Sequence, residues 1–363
     1  MPVKFRKVMI ADTRFESCGV FDVNNDGILD IVCGDSWYEG PDYTNPKNIH
    51  PIGPITPFGE YYDDFSTIPM DVNGNGYLDF IEGSWFVDTL RWKENSKDPN
   101  IPWREHVIDT IGNIETTRGF DIDGDGDIEI IPNAPAIPVV IYKLIKDENG
   151  KGTGKFDSFK IYDEPQGHGI GFGDITGNGR CDIVLTNGWL EAPQKPFEEK
   201  WIFHEDFDLG SASVPILVYD VNGDGINDII VGQAHGYGLD WWEQIVNVDG
   251  SRTWKKHPID PFNAQYHDMI LADIDNDGEL ELITGKRYRA HCGNDPGEYD
   301  DYGLYYFKWN GESFSKQVIS YGEGRVGKGT GIFFQVADLR GIGRLDIIVA
   351  GKDGLYVFFN EGL

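Results

Sequence analysis

A nine-residue pattern recurs along the chain and limits the fold more than any other feature. It reads Asp, any residue, Asp or Asn, any residue, Asp or Asn, Gly, and then Asp or Glu at position nine. Copies begin at Asp22, Asp71, Asp121, Asp174, Asp220 and Asp273, with a degraded seventh at Asp338. Successive copies lie 49, 50, 53, 46, 53 and 65 residues apart. A fixed period of this size marks one supersecondary unit used repeatedly, each burying its apolar face against the next. Every copy has the same flanks: a short apolar run before it, such as 19–21 or 269–272, and a β-rich run after it, such as 28–32 or 226–231. Two such runs around a Gly-bearing turn predict a hairpin, strands A and B of the unit.

A third run follows, rich in aromatics: 90–92, 240–242, 304–307 and 355–358. A fourth has an aromatic residue and an aliphatic one five positions later, as in Trp103 with Ile108, Trp254 with Ile259 and Phe314 with Ile319. These are strands C and D. Seven four-stranded antiparallel units predict an all-β, seven-bladed β-propeller. The chain ends after the third strand of the last unit, while its first strand, 5–10, carries the strand D signature. The N-terminal strand is therefore expected to close the last blade, which removes an open sheet edge. On this reading residues 1–363 form a single propeller domain.

With 61 acidic against 31 basic residues the formal charge is −30, which disfavours nucleic acid as a partner. No apolar run reaches the length of a membrane span, so no membrane insertion is expected. Met1–Phe5 shows no secretory signal pattern. Cys18, Cys33, Cys181 and Cys292 include no pair spaced for a zinc cage. Cys18 and Cys33 face each other across the first hairpin, as a disulfide or as two reduced thiols.

The Asp loops resemble the FG-GAP or VCBS type of calcium propeller repeat, over essentially the whole chain. Integrin α-subunit propellers, several polysaccharide lyases and sugar dehydratases are built on similar repeats. Alternating carboxylates and amides in a tight turn suit Ca²⁺, a hard cation taking several oxygens. The fullest sets are Asp121, Asp123, Asp125 and Glu129, and Asp273, Asp275, Asp277 and Glu281. Asp22, Asn24, Asp26 and Asp30, and Asp220, Asn222, Asp224 and Asp228, are close behind. Asp71, Asn73, Asn75 and Asp79 carry less charge, as do Asp174, Asn178 and Asp182, with Thr176 at position three. Arg340 and Ile342 spoil the seventh loop, where no ion is expected. The alternative for every loop is a turn held by side-chain hydrogen bonds alone. Weak calcium loops favour an extracytoplasmic setting, secreted or periplasmic, with a cytoplasmic one left open.

The repeat also sorts the eight histidines. His106, His204 and His257 each follow a Trp by three residues in strand D, and His50 lies in the corresponding strand, so these four are expected to pack blades. His168 and His267 lie six residues before Asp174 and Asp273, just ahead of strand A. His235 and His291 lie just past strand B. Both registers fall on the face opposite the Asp loops. His168, His235, His267 and His291 are therefore expected to converge on a transition metal such as Zn²⁺, Mn²⁺ or another divalent ion.

The same face is expected to carry Arg118, Lys286, Arg287, Tyr288, Arg289 and Lys328, with Glu16 and Glu115 in the register of His168 and His267. Trp37, Tyr38, Trp85, Trp189 and Tyr237 add aromatic faces for stacking on sugar rings. The 288–302 insertion lengthens blade 6, and long loops on rigid scaffolds often carry function. The His pattern is similar to that of the propeller domain of aldos-2-ulose dehydratases, and ulvan-type propeller lyases use comparable His, Tyr and Arg sets. That resemblance implies a metal-assisted carbohydrate lyase or dehydratase acting by β-elimination on a keto-sugar or uronide. Catalytic roles fall to His168, His235, His267, Arg118, Tyr288 and Tyr237. Substrate contacts fall to Arg287, Arg289, Lys286, Lys328, Trp37, Trp189, Glu16 and Glu115. The alternatives are a non-catalytic carbohydrate- or protein-binding propeller and a hydrolase of modified glycosides.

Overall fold

Position nine of each Asp loop opens strand B in every repeat, at Asp30, Asp79, Glu129, Asp182, Asp228, Glu281 and Asp346. The computed structural model, which describes residues 2–55 and 61–363, shows why. In blades 1 to 6 the position-nine carboxylate turns back to accept the backbone N–H of position two, as Asp30 does from Val23 (2.9 Å) and Glu281 from Ile274 (3.0 Å), while Asp346 of blade 7 pairs with Arg340. The first Asp accepts two N–H groups from the far side of the turn, as Asp71 does from Asn75 (3.0 Å) and Gly76 (2.8 Å). Asp338 of the degraded copy makes the same pair of bonds, to Ile342 and Gly343. Both carboxylates thus satisfy backbone donors that the tight turn would leave without partners.

Each hairpin extends to four strands. Blade 1 uses Gly19–Phe21, Asp30–Cys33, Ser36–Tyr38 and Lys47–Asn48. Blade 3 uses Thr116–Phe120, Glu129–Asn133, Val140–Lys146 and Gly152–Lys160. Blades 2 and 6 are likewise separate four-stranded sheets. Blades 4 and 5 merge into one eight-stranded sheet where Ile170–Gly173 pairs in parallel with Ile216–Tyr219. Gly171 permits this approach, since a Cβ there would lie 2.2 Å from the Ile216 carbonyl oxygen. Blade 7 takes three strands from the C-terminus and its outermost from Lys4–Ala11, which pairs antiparallel with Leu355–Gly362. The expected closure by the N-terminal strand therefore holds.

Among the described residues, seven apolar clusters lie between neighbouring blades. One joins Val32 and Trp37 of blade 1 to Phe80 and Trp103 of blade 2. Another joins Ile31 and Cys33 back to Ile348 and Val357 of blade 7. The remaining clusters link blades 2 to 3, 3 to 4, 4 to 5, 5 to 6 and 6 to 7 in turn. Burying one such aliphatic side chain is worth roughly 1.5–3 kcal/mol. Cys18 and Cys33 are buried and unbridged.

The strand D histidines behave as repeat elements. His106, His204 and His257 stack on Trp92, Trp189 and Trp241 at 4.3, 4.1 and 4.4 Å between ring centroids. Each also bonds a strand C carboxylate, Glu94, Glu191 or Glu243. His50 departs from this pattern. In blade 1 it is Lys47 that lies over Trp37 and pairs with Glu39, while His50 bonds the Trp103 carbonyl at 3.3 Å.

Candidate functional site

At the end of each blade away from the Asp loop, the residue six positions before the loop stands at the mouth of the ring. Those residues are Glu16, Phe65, Glu115, His168, Val214, His267 and Ile332. Glu115 leads into strand A of blade 3 and is anchored there by its N–H on the Asn133 carbonyl (2.8 Å). His267 lies in Tyr266–Ala272, whose register slips between Tyr266 and Met269. Such a bulge re-aims side chains. His267 and Asp268, which strict alternation would send to opposite sides, both reach blade 3, at Glu115 and Arg118.

Glu115, His168, His235 and His267 each offer a ligand atom within 4.8 Å of the others. His267 Nε2 lies 2.8 Å from Glu115 Oε1, and His168 Nε2 lies 3.6 Å from the same oxygen. His168 Nε2 and His235 Nε2 face each other at 3.0 Å. The opposite nitrogens of these two rings are committed. His168 Nδ1 meets the Ala212 carbonyl and His235 Nδ1 meets Asp295 Oδ2, both at 2.8 Å. Each Nδ1 therefore carries the hydrogen, and the neutral rings aim two Nε2 lone pairs at each other. That arrangement calls for a cation between them, a proton or a metal ion.

The electrostatics agree. Burial, with His168 and His291 alongside, pushes His235 down to about 4. Burial and the Arg287 charge outweigh Glu115 and hold His267 well below the usual imidazole value. Burial also opposes charge on Glu115, but hydrogen bonds from His168 and His267 outweigh it and keep the carboxyl strongly acidic. His168 is pushed up, because its hydrogen bond to Glu115 and that carboxylate's charge outweigh burial.

A second layer holds this group in place. Arg287 is buried and reaches Glu16 at 2.9 Å and Glu115 at 3.6 Å, and Lys352 closes on Glu16 at 3.2 Å. Asp295 bridges His235 to His291, whose ring stacks on His235 at 4.2 Å. Beside the cluster opens a cavity of about 260 Å³, lined by Tyr61, Phe65, Trp85, Phe86, Glu115, Arg287, His291 and Asn294. One wall is aromatic, all from blade 2 and its approach, and the other is polar.

Several residues expected to touch a ligand lie elsewhere. Trp37 and Trp189 are buried between blades, because strand C aromatics fill the inter-blade clusters, and Tyr38 is buried likewise. Lys286 is buried and ties down the insertion through the carbonyls of Gly297, Glu298 and Asp300. Lys328 is fully buried against Asp353 and the Gly354 carbonyl. Arg118 spans the channel to Asp268 at 2.8 Å and lies over Phe333, a strut between blades. Glu16 faces Arg287 and Lys352 and is closed to a ligand. Tyr288 packs on Tyr302, and Arg289 lies 3.9 Å from Glu298. Tyr237 is half exposed on the rim, its hydroxyl on Asp300 at 2.6 Å.

Glu115 joins His168, His235 and His267 in one metal-type group, and His291 forms a second with His235 and Asp295. Tyr61, Phe86 and Asp295 escaped the sequence reading. The insertion length pointed toward Asp295, but nothing in the repeat marked Tyr61.

The FG-GAP-like repeat family matches residues 220–284. No curated protein sequence matches the chain. Among solved structures, the chain is similar to rhamnogalacturonan lyase YesW, with a TM-score of 0.50 and 12% identity over 96% of this chain and 72% of that one. It is also similar to BBS1N in the complex with ARL6DN, with a TM-score of 0.54 and 10% identity over 99% of this chain and 96% of that one. At these identities the likeness is one of fold.

Proposed function

We propose that this chain is a metal-assisted carbohydrate-active enzyme, a lyase or dehydratase performing β-elimination on a keto-sugar or uronide. The observation that carries the metal is the 3.0 Å approach of two imidazole nitrogens whose hydrogens are committed elsewhere. Ligating histidines ordinarily donate their other N–H to a carbonyl or carboxylate, as both do here. Bond lengths near 2.0–2.1 Å set tetrahedral ligand atoms about 3.3 Å apart, against separations of 2.8, 3.0 and 3.6 Å in the cluster. Glu115, His168, His235 and His267 would hold the ion, and Zn²⁺ or Mn²⁺ suits this donor set.

Such an ion supplies Lewis-acid stabilisation of charge on a carbonyl oxygen as the neighbouring proton leaves. Arg287 adds a fixed cation in the cavity wall. His291, half exposed with Nδ1 set by Asp295, is the group placed for proton transfer. Tyr61, Phe65, Trp85 and Phe86 give an apolar wall for a sugar ring. One similar fold bears the name of a polysaccharide lyase, which agrees with the reaction class. Calcium in the Asp loops of blades 1, 2, 4 and 5, and with it an extracytoplasmic setting, belongs to the same proposal. The aromatic wall equally favours a second reading, a propeller that binds carbohydrate without converting it.

Elemental analysis of the native protein and of Glu115→Gln and His235→Ala tests the proposal. About one equivalent of transition metal, absent from both variants, is expected. Keto-sugars and uronides should then yield an unsaturated product with the native protein alone. Native protein that neither holds nor takes up Zn²⁺ or Mn²⁺ overturns the metal mechanism. Metal with ligand binding but no product moves the binding propeller to first place.

A further inference from the structure

The two Asp loops richest in carboxylates already contain a cation. In blade 3, Lys143 Nζ lies 2.8 Å from Asp123 Oδ2, 2.9 Å from Asp125 Oδ2 and 2.6 Å from Glu129 Oε1. In blade 6, Lys308 Nζ lies 2.6 Å from Asp275 Oδ2 and 3.1 Å from Glu281 Oε1, and also bonds Asp277. These are loop positions three, five and nine, the oxygens a calcium ion would need.

The lysine is not placed by chance, because its position covaries with position nine along the chain. Strand B to strand C register sets Lys143 opposite Glu129 and Lys308 opposite Glu281. The same register position holds Glu39, Glu94, Glu191 and Glu243 in blades 1, 2, 4 and 5, where position nine is always Asp. Geometry explains the pairing. The shorter Asp accepts the position-two N–H with one oxygen and the N–H following the strand C glutamate with the other, as Asp79 does from Val72 and Asn95. The extra methylene of Glu keeps the first bond and frees the second oxygen toward the loop. Glu129 Oε2 takes Ile122 N–H while Oε1 meets the lysine, and Glu281 does the same with Ile274 and Lys308.

We infer that blades 3 and 6 are held by a tethered ammonium in place of a metal ion, so the two loops that look most like calcium sites do not take calcium. The residue opposite position nine decides which kind of cation a blade uses. This inference is independent of the Glu115–histidine centre.

Bound calcium should be counted by equilibrium dialysis at about 1 mM free calcium, the affinity range of extracellular modules. Lys143→Met and Lys308→Met, made singly, should each gain one equivalent over the native protein. Each should also lose thermal stability in chelator and recover it in calcium. An unchanged count in both variants overturns the inference. If either variant fails to fold, the native background decides. Asp123→Asn and Asp275→Asn should leave the native calcium count unchanged, and loss of an equivalent from either one places the metal in that loop and overturns the assignment.

Discussion

At the Asp-loop face, positions one and nine are carboxylates in all seven blades: position one accepts backbone N–H groups across the turn, and position nine accepts the position-two N–H in blades 1 to 6, while Asp346 of blade 7 pairs with Arg340. At the opposite mouth, the residue six before the loop is Glu16, Phe65, Glu115, His168, Val214, His267 or Ile332, five residue types in seven blades. The first face is local and redundant, since the position-one and position-nine bonds close within one blade and recur from blade to blade. The second is long-range and single-copy: His267 meets Glu115 across 152 residues and Arg287 meets Glu16 across 271. A repeat therefore spreads its stability over copies and concentrates its chemistry where the copies differ.

That contrast breaks most readily at Arg287. Arg287→Met leaves Glu16 and Glu115 buried with a partner removed, and loss of one member of a buried pair costs about 3–5 kcal/mol. Chemical denaturation should show a loss of that size, well above that of Asp30→Asn in a loop. Equal losses would erase the distinction between the faces.

Glu16 gives a pH signature of the same network. Burial opposes its charge, but Arg287 and Lys352 hold the carboxyl down at about 2, against 4.5 for the ordinary side chain. Its contribution is fully present above about pH 4.5 and is lost as pH falls toward 2. The shift corresponds to something on the order of 3 kcal/mol. Urea midpoints recorded across that window should fall less steeply for Glu16→Gln than for the native chain. Parallel slopes would mean that Glu16 does not carry the acid limb.

The smallest effect is expected at a repeated histidine. His257→Ala removes one Trp241 stack and one Glu243 bond, a cost of about 1 kcal/mol. Transition-metal content should not change. Metal loss from this variant would refute the division of histidines into blade-packing and mouth-facing sets.

The same division marks what could be read along the chain. Strand order followed from position relative to the Asp loop, and the closing N-terminal strand from its aromatic–aliphatic spacing. His291 was grouped with the other three because it lies past strand B, yet it sits in the insertion with φ of 49°, outside strand alternation. Glu115 was assigned to substrate because an acid among histidines in one register has no stated neighbour until the ring closes. Lys286, Lys328 and Arg287 were taken as open bases, but in a chain so rich in carboxylates basic groups find buried acids or carbonyls first. The pairing of Glu at position nine with Lys in strand C is visible in the sequence once the B–C register is known.

By itself the sequence determined the hairpins, their number and their turn chemistry, because each is closed by contacts within about fifty residues. Only the tertiary structure decided which mouth residues meet, which bases are buried and which loops receive a lysine. Those outcomes depend on the register between strands and on blades that touch across the channel, distances that a linear repeat does not encode.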